Sequence, residues 1–296
     1  MSTRVAIVKS TDREIAIPRA IDLLGIGDVL RNKNVLLKPN FNTADPYPAS
    51  THNNTLRALI IKLNAMGAAR VTVGDRSGPV KTSGVLVDKG IPALCAELGA
   101  ELINFEELPE SQWEHIKPEG LNWRNGFLFA KPVLEADAVV TTCCLKTHGF
   151  GGGITVSLKL TIGMVSGRNM PELHTSFLSQ KKMIAETNLP YSPALILMDA
   201  LEVFTDKGPM SGPIKSPGLI VAGTDRVAID AVGMAILKEV GSNAHVMKTP
   251  PFEQPQISRA IELGIGITGP EEIELLTDET ESSKWAERIK KTLFSG

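Results

Sequence analysis

Cysteine is scarce. The 296 residues hold three, Cys95, Cys143 and Cys144, two of them adjacent. That number and spacing give neither a disulfide framework nor a Cys-x-x-Cys metal site. An excess of either charge is also missing, the formal net charge being −2. Such a balance exerts no global pull toward nucleic acid or an anionic membrane. Aromatic residues make up only 5%, which further disfavours nucleic acid as a partner. No apolar run approaches the length of a membrane span. The chain opens directly into the strand-like Arg4-Val5-Ala6-Ile7-Val8, with no charged leader before an apolar core. Together these absences make a reducing cytoplasm the expected location.

What is present is an ordinary globular composition, 43% hydrophobic and 22% charged, with enough residues for a large core. Short apolar runs rich in β-branched residues fall at 4–9, 35–38, 70–74, 101–105, 137–144, 194–198 and 218–223. Most are continuous rather than alternating, as strands covered on both faces should be. Between the second and third, Leu56, Leu59, Ile60, Leu63 and Met66 mark a helix that Gly67 stops, with Asn53 or Asn54 as its cap. Strand–helix–strand units predict an α/β fold, a mostly parallel sheet or sheets flanked by helices. Residues 106–132 break the pattern and read as a connection, with short extra strands, between two lobes bounding a cleft. The expected division is 1–130, 131–270 and a strand/helix extension 271–296. In that extension Trp285, Ile289 and Leu293 form a helical stripe.

In open α/β sheets ligands bind beyond the carboxyl ends of the strands. Five such ends are polar: Lys38-Pro39-Asn40, Gly74-Asp75, Lys146-Thr147-His148, Asp199 and Gly223-Thr224-Asp225. Read together they predict one shared cleft. The richest is Lys146-Thr147-His148-Gly149-Phe150-Gly151-Gly152-Gly153. Its glycines allow close backbone approach. The helical look of 155–165 then predicts a helix N-terminus facing an anion, with Thr155 and Lys159 on one helix face. Asn40, Asp75, Gly149, Gly151, Gly152 and Thr155 are the candidate ligand-binding residues. His148, with an imidazole that titrates near neutrality, Lys146 and Lys159 are the catalytic candidates. His148, His174 and Asp199 are the candidate metal ligands. His52 is as well explained by a structural hydrogen bond, and His115 and His245 are better explained so. Asp225 and Asp230 are, like Asp75 and Asp199, candidate ligands or bases, and they also have a plain reading as helix-start carboxylates. Cys143 and Cys144 read as buried, inert thiols.

The order of Lys38-Pro39-Asn40, Ser50-Thr51-His52, Gly74-Asp75, Lys146-Thr147-His148, Ser157-Leu158-Lys159 to Gly163, His174, Asp199-Ala200, Gly208-Pro209 with Gly212, and Gly223-Thr224-Asp225 with Asp230 resembles the domain of unknown function 362 family. The resemblance runs over roughly residues 4–270. It implies a redox-associated setting, since many members carry a ferredoxin-like cysteine motif. The C-terminal end here has no cysteines, so an intrinsic iron–sulfur cluster is not expected. Leu160 also stands where the family commonly has asparagine. A fainter resemblance, to the lactate racemase family, rests on His148, Gly151-Gly152, Lys159 and His174. It implies a lysine that anchors a nickel-pincer cofactor, a nickel ligand at His174, and histidines that shuttle protons on a 2-hydroxy acid. The expected function is therefore binding of a small anionic ligand or metallo-cofactor, with racemase- or isomerase-like chemistry. The alternative is a non-catalytic metal- or anion-binding accessory to a redox partner protein.

Overall fold

Each of the seven apolar runs forms a strand. The computed structural model of the chain describes residues 2–149 and 153–295. In chain order the strands are β1 (Thr3–Lys9), β2 (Asn34–Lys38), β3 (Arg70–Asp75), β4 (Glu101–Asn104), β5 (Trp113–Ile116), β6 (Phe127–Ala130), β7 (Ala138–His148), β8 (Gly153–Thr155), β9 (Leu195–Phe204), β10 (Ile214–Lys215), β11 (Leu219–Gly223) and β12 (Ile273–Thr277). Among the described residues they build a ten-stranded sheet with the main order β12-β1-β11-β9-β7-β2-β3-β4, while β8 pairs with β7 and β10 with β9. β5 and β6 form a separate antiparallel hairpin inside the 106–132 connection.

The main sheet is mostly parallel, as expected. β9, β7, β2, β3 and β4 run the same way, whereas β11 is antiparallel to both β9 and β1. This one reversal corrects the expectation of five converging strand ends. The carboxyl end of β11, with Thr224 and Asp225, lies at the opposite edge of the sheet from those of β2, β3 and β7. There the Asp225 carboxylate accepts from Ala228 N at 2.9 Å and Ile267 N at 2.9 Å, the plain helix-start role.

The sheet also crosses the division expected at residue 130, because β1 sits between β11 and β12. Helices cover both faces. Arg13–Leu23 and Asn53–Ala65 pack on one side, with Leu56, Leu59, Ile60 and Leu63 fully buried. Each such side chain contributes about 1.5–3 kcal/mol of hydrophobic stabilisation. The almost wholly buried Arg226–Val240 lies on the other side, beneath the terminal helix Thr280–Phe294, which docks through Ile289 and Leu293 as the sequence stripe predicts. No helix among the described residues is long and apolar enough to cross a membrane.

Two local expectations need correction. The start of Asn53–Ala65 is capped by neither asparagine: His52 Nδ1 accepts from Asn54 N at 3.1 Å. His52 is thus occupied structurally, and burial, followed by the charge of Arg13, holds its pKa below the ordinary value. The stretch 155–165 is not one helix. β8 ends at Thr155, one α-turn spans Ser157–Leu160, and a 3₁₀ turn spans Thr161–Met164.

Candidate functional site

Two neighbouring parallel strands set the base of a cleft. Lys38 ends β2 and Asp75 ends β3. Their side chains form a buried ion pair, Nζ to Oδ1 at 2.6 Å. Lys38 also donates to Pro39 O at 2.7 Å, while Asp75 accepts from Phe41 N at 2.8 Å and Arg76 N at 2.7 Å. Burial pulls the lysine below its ordinary pKa and pushes the carboxylate above its own, and each partner's charge opposes that drift. Asp75 is therefore saturated by protein donors and anchors the strand ends.

Gly163 lies directly against this pair. A Cβ there would sit 2.7 Å from both Asp75 Oδ1 and Lys38 Nζ. Replacing Gly163 by alanine should therefore destabilise the fold by about 1–3 kcal/mol, read as a lower urea midpoint. An unchanged midpoint would mean that the pair yields freely.

The second wall comes from β7. Residues two apart share a face of a strand, so Lys146 and His148 point the same way and Thr147 the other. β8 folds back antiparallel beside β7 in the sheet, with Lys146 opposite Thr155 and His148 opposite Gly153. Lys146 is fully buried and uses its donors on Asn40 Oδ1 at 2.9 Å, Pro48 O at 3.4 Å and Ala49 O. It fastens the 39–52 loop, and burial lowers its pKa.

Lys159, on the Ser157–Leu160 turn, differs from Lys146. Among the described residues it makes no hydrogen bond or ion pair. Burial, and then the charge of Lys146, brings it down to about 8. Burial is also the first cause that takes His148 down to about 2, followed by Lys159, Lys146 and His174. The buried Thr155 hydroxyl has no hydrogen-bond partner among the described residues.

These groups surround a cavity of about 760 Å³. His174, Met170 and Pro171 reach it from the helix Met170–Thr175, and Pro209 and Met210 from the 204–218 loop. Its lining carries five basic side chains (Lys38, Arg76, Lys81, Lys146 and Lys159) against two acidic ones, Asp75 and Glu106. Asp75 is already paired, and Glu106 accepts from Thr82 N at 2.7 Å. A shallower hollow of about 490 Å³ at the opposite edge is lined by Arg4, Thr224 and Asp225, where the Asp225 carboxylate is already taken by the Ala228 and Ile267 N–H groups.

Of the expected site residues, the cleft gathers Lys146, His148, Lys159, Thr155, Asn40, Asp75 and His174. Asp199 is not among them. It lies inside β9, five residues short of its carboxyl end. There it takes Arg13 at 2.8 Å, Tyr47 OH at 2.7 Å and Thr55 Oγ1 at 2.6 Å. Those three donors leave it no role as a metal ligand beside the histidines. Indeed, no group of three or more His, Cys, Asp or Glu suited to a metal ion occurs among the described residues. Two imidazoles among lysines are a poor setting for a bare divalent cation.

Gly149 does not line the cleft either. Its N–H donates to Gly208 O at 2.8 Å. Gly151 and Gly152 lie outside the described residues. Nor does the turn that starts at Ser157 offer free N–H groups to an anion. The Asp230 carboxylate accepts from Ser157 N at 2.8 Å and Leu158 N at 3.2 Å, and burial pushes its pKa up to about 8. Cys143 and Cys144 are buried, and desolvation raises both thiols, Cys144 to about 11.

Sequence reasoning left Arg76 without a role. Its guanidinium holds the 162–170 segment to the end of β3 through Val165 O at 2.7 Å and Ile162 O at 2.8 Å. Its position directly after Gly74-Asp75 was the available signal.

A family model described as "Domain of unknown function (DUF362)" matches residues 35–235. No curated protein matches. Among solved structures, the lactate racemase apoprotein from Thermoanaerobacterium thermosaccharolyticum is similar at a TM-score of 0.48 and 12% identity, over 96% of this chain and 85% of that one. A likeness at that level carries no argument about function.

Proposed function

The chain belongs to the domain of unknown function 362 family, and from the geometry of its cleft we propose that it binds an anionic organic ligand at Lys159, with His148 and His174 placed to move protons on it. The observation that carries this reading is the Lys159 ammonium. It belongs to a lysine of the cavity lining with no protein anion on it among the described residues, and the same cavity is lined by a buried, unpartnered hydroxyl, Thr155. A carboxylate or phosphate satisfies both groups. Asn40, whose Oδ1 is taken by Lys146, has its amide N–H donors left for the same ligand.

His148 is a neutral imidazole at working pH, held below the range of an efficient base first by burial and then by the charge of Lys159. Neutralisation of Lys159 by a bound anion removes the largest charge contribution to that lowering, so the imidazole moves toward the range in which it accepts a proton. Proton exchange beside an acidic group, as in racemisation or isomerisation, is the reaction class that fits. An anionic cofactor carrying its own metal suits the same cationic lining.

Affinity for malonate is expected to hold steady below about pH 8 and to fall about tenfold per unit above it, as Lys159 loses its proton. Calorimetric titration from about pH 6 to about pH 10 reads this directly. A flat profile across that range would remove Lys159 as the anion site. Binding without turnover of any 2-hydroxy acid would favour the accessory role instead.

A further inference from the structure

The cleft is much larger than a two- or three-carbon acid requires. At about 760 Å³ it falls in the range, roughly 300–1,000 Å³, of sites that enclose drug-sized molecules. Filled by water alone it would hold roughly 25 molecules at about 30 Å³ each. Much of that water would rest on carbon. Phe41, Leu160, Ile162, Met170, Pro171 and Met210 all line it. Met210 is more than a third exposed, so its thioether is open to a ligand in the cavity. Methionines are adaptable and polarisable, and they make favourable contacts with aromatic rings.

The polar and apolar parts of the lining are adjoining in sequence. Lys159 is followed at once by Leu160 and then Ile162 on the next turn. An acidic group at Lys159 and Thr155 therefore places the rest of its molecule beside carbon rather than beside a second set of charges. Of the other basic groups, Lys38 is paired with Asp75, Lys146 is bound to loop oxygens, and Arg76 is bound to backbone carbonyls. Three of the five basic lining groups are thus occupied, and beside Lys159 only the exposed Lys81 side chain has no hydrogen bond or ion pair among the described residues, so a ligand with several dispersed charges would find few free partners.

Resting on the anion site at Lys159, we propose that the ligand is an amphipathic acid with an aromatic or comparably bulky apolar body: one acidic group on Lys159 and Thr155, the body against Leu160, Ile162, Met170 and Met210. Its specificity comes from the apolar wall, and its orientation from the lysine.

The test compares binding of 2-naphthoate, lactate and the neutral 2-naphthalenemethanol to the full chain by calorimetry. Naphthoate should bind about tenfold or more tightly than either of the others, because only it uses both parts of the lining. Lys159→Met and Lys159→Gln should each weaken naphthoate roughly 30-fold or more. Met210→Ala should weaken naphthoate severalfold and leave lactate within about twofold. Equal affinity for lactate and naphthoate overturns the inference while leaving the anion site standing. Equal affinity for naphthoate and the neutral alcohol shows that the wall binds without the lysine and overturns it as well. If neither acid responds to the Lys159 substitutions, the anion-site reading fails with it.

Discussion

Replacing Asp75 by alanine is expected to lower the unfolding free energy by about 3–5 kcal/mol, the usual cost of leaving one member of a buried ion pair alone. The reason lies in what the carboxylate holds. Lys38 Nζ, 2.6 Å away, would keep only Pro39 O at 2.7 Å. The N–H groups of Phe41 and Arg76 would lose their acceptor, and that orphaning is part of the same cost. Urea denaturation at constant slope measures the loss. Asp75→Asn, which keeps an acceptor oxygen, should cost less than Asp75→Ala. The double change Lys38→Met with Asp75→Leu should recover much of the loss, since an apolar pair removes the stranded charge. A loss below about 1 kcal/mol for Asp75→Ala would mean that water reaches the Lys38 ammonium, contrary to its burial.

The second large effect concerns ligand affinity rather than stability. Lys159→Met should weaken an anionic ligand by about 2–5 kcal/mol, roughly 30-fold or more. The methionine keeps an apolar stem of similar length and removes only the charge. Stability should hold or rise slightly, because burial already disfavours the ammonium. The same substitution has a second readout. Lys159 is the largest charge contribution holding down the pKa of His148, so that pKa should climb from about 2. NMR titration of the His148 ring would follow it. An unmoved His148 titration would show that the two side chains do not sense each other, and the proposed pairing of anion site and proton acceptor would fall.

The sequence was sufficient for most of the strands and for the helix Asn53–Ala65. Their signals are local: continuous β-branched runs such as Val139-Val140-Thr141-Thr142, and Leu56, Leu59, Ile60 and Leu63 at helical spacing. β12 carries a weaker signal, marked only as part of a strand/helix extension. Ile273-Glu274-Leu275 is short and lies at the sheet edge, where one neighbour, β1, completes its pairing. The Lys146-Thr147-His148 stretch was legible because a two-residue period fixes which side chains share a face.

Other features depended on partners distant in the chain. Asp199 and Asp75 look alike in sequence, each an acid on an apolar run. Asp199 meets Arg13, Tyr47 and Thr55, whereas Asp75 meets Lys38 at the cleft. Lys146 and Lys159 also read as equivalent cations, until folding brings Asn40 and the Pro48 and Ala49 carbonyls to the first. The second is left facing the cavity. The sequence by itself determined the α/β class and the family, and it named most of the charged residues that line the proposed site. Which charges are satisfied, and so which remain for a ligand, was decided only by the tertiary structure. Hydrogen bonds and ion pairs act over a few ångströms, and the contacts that occupy these groups join residues as much as 186 positions apart.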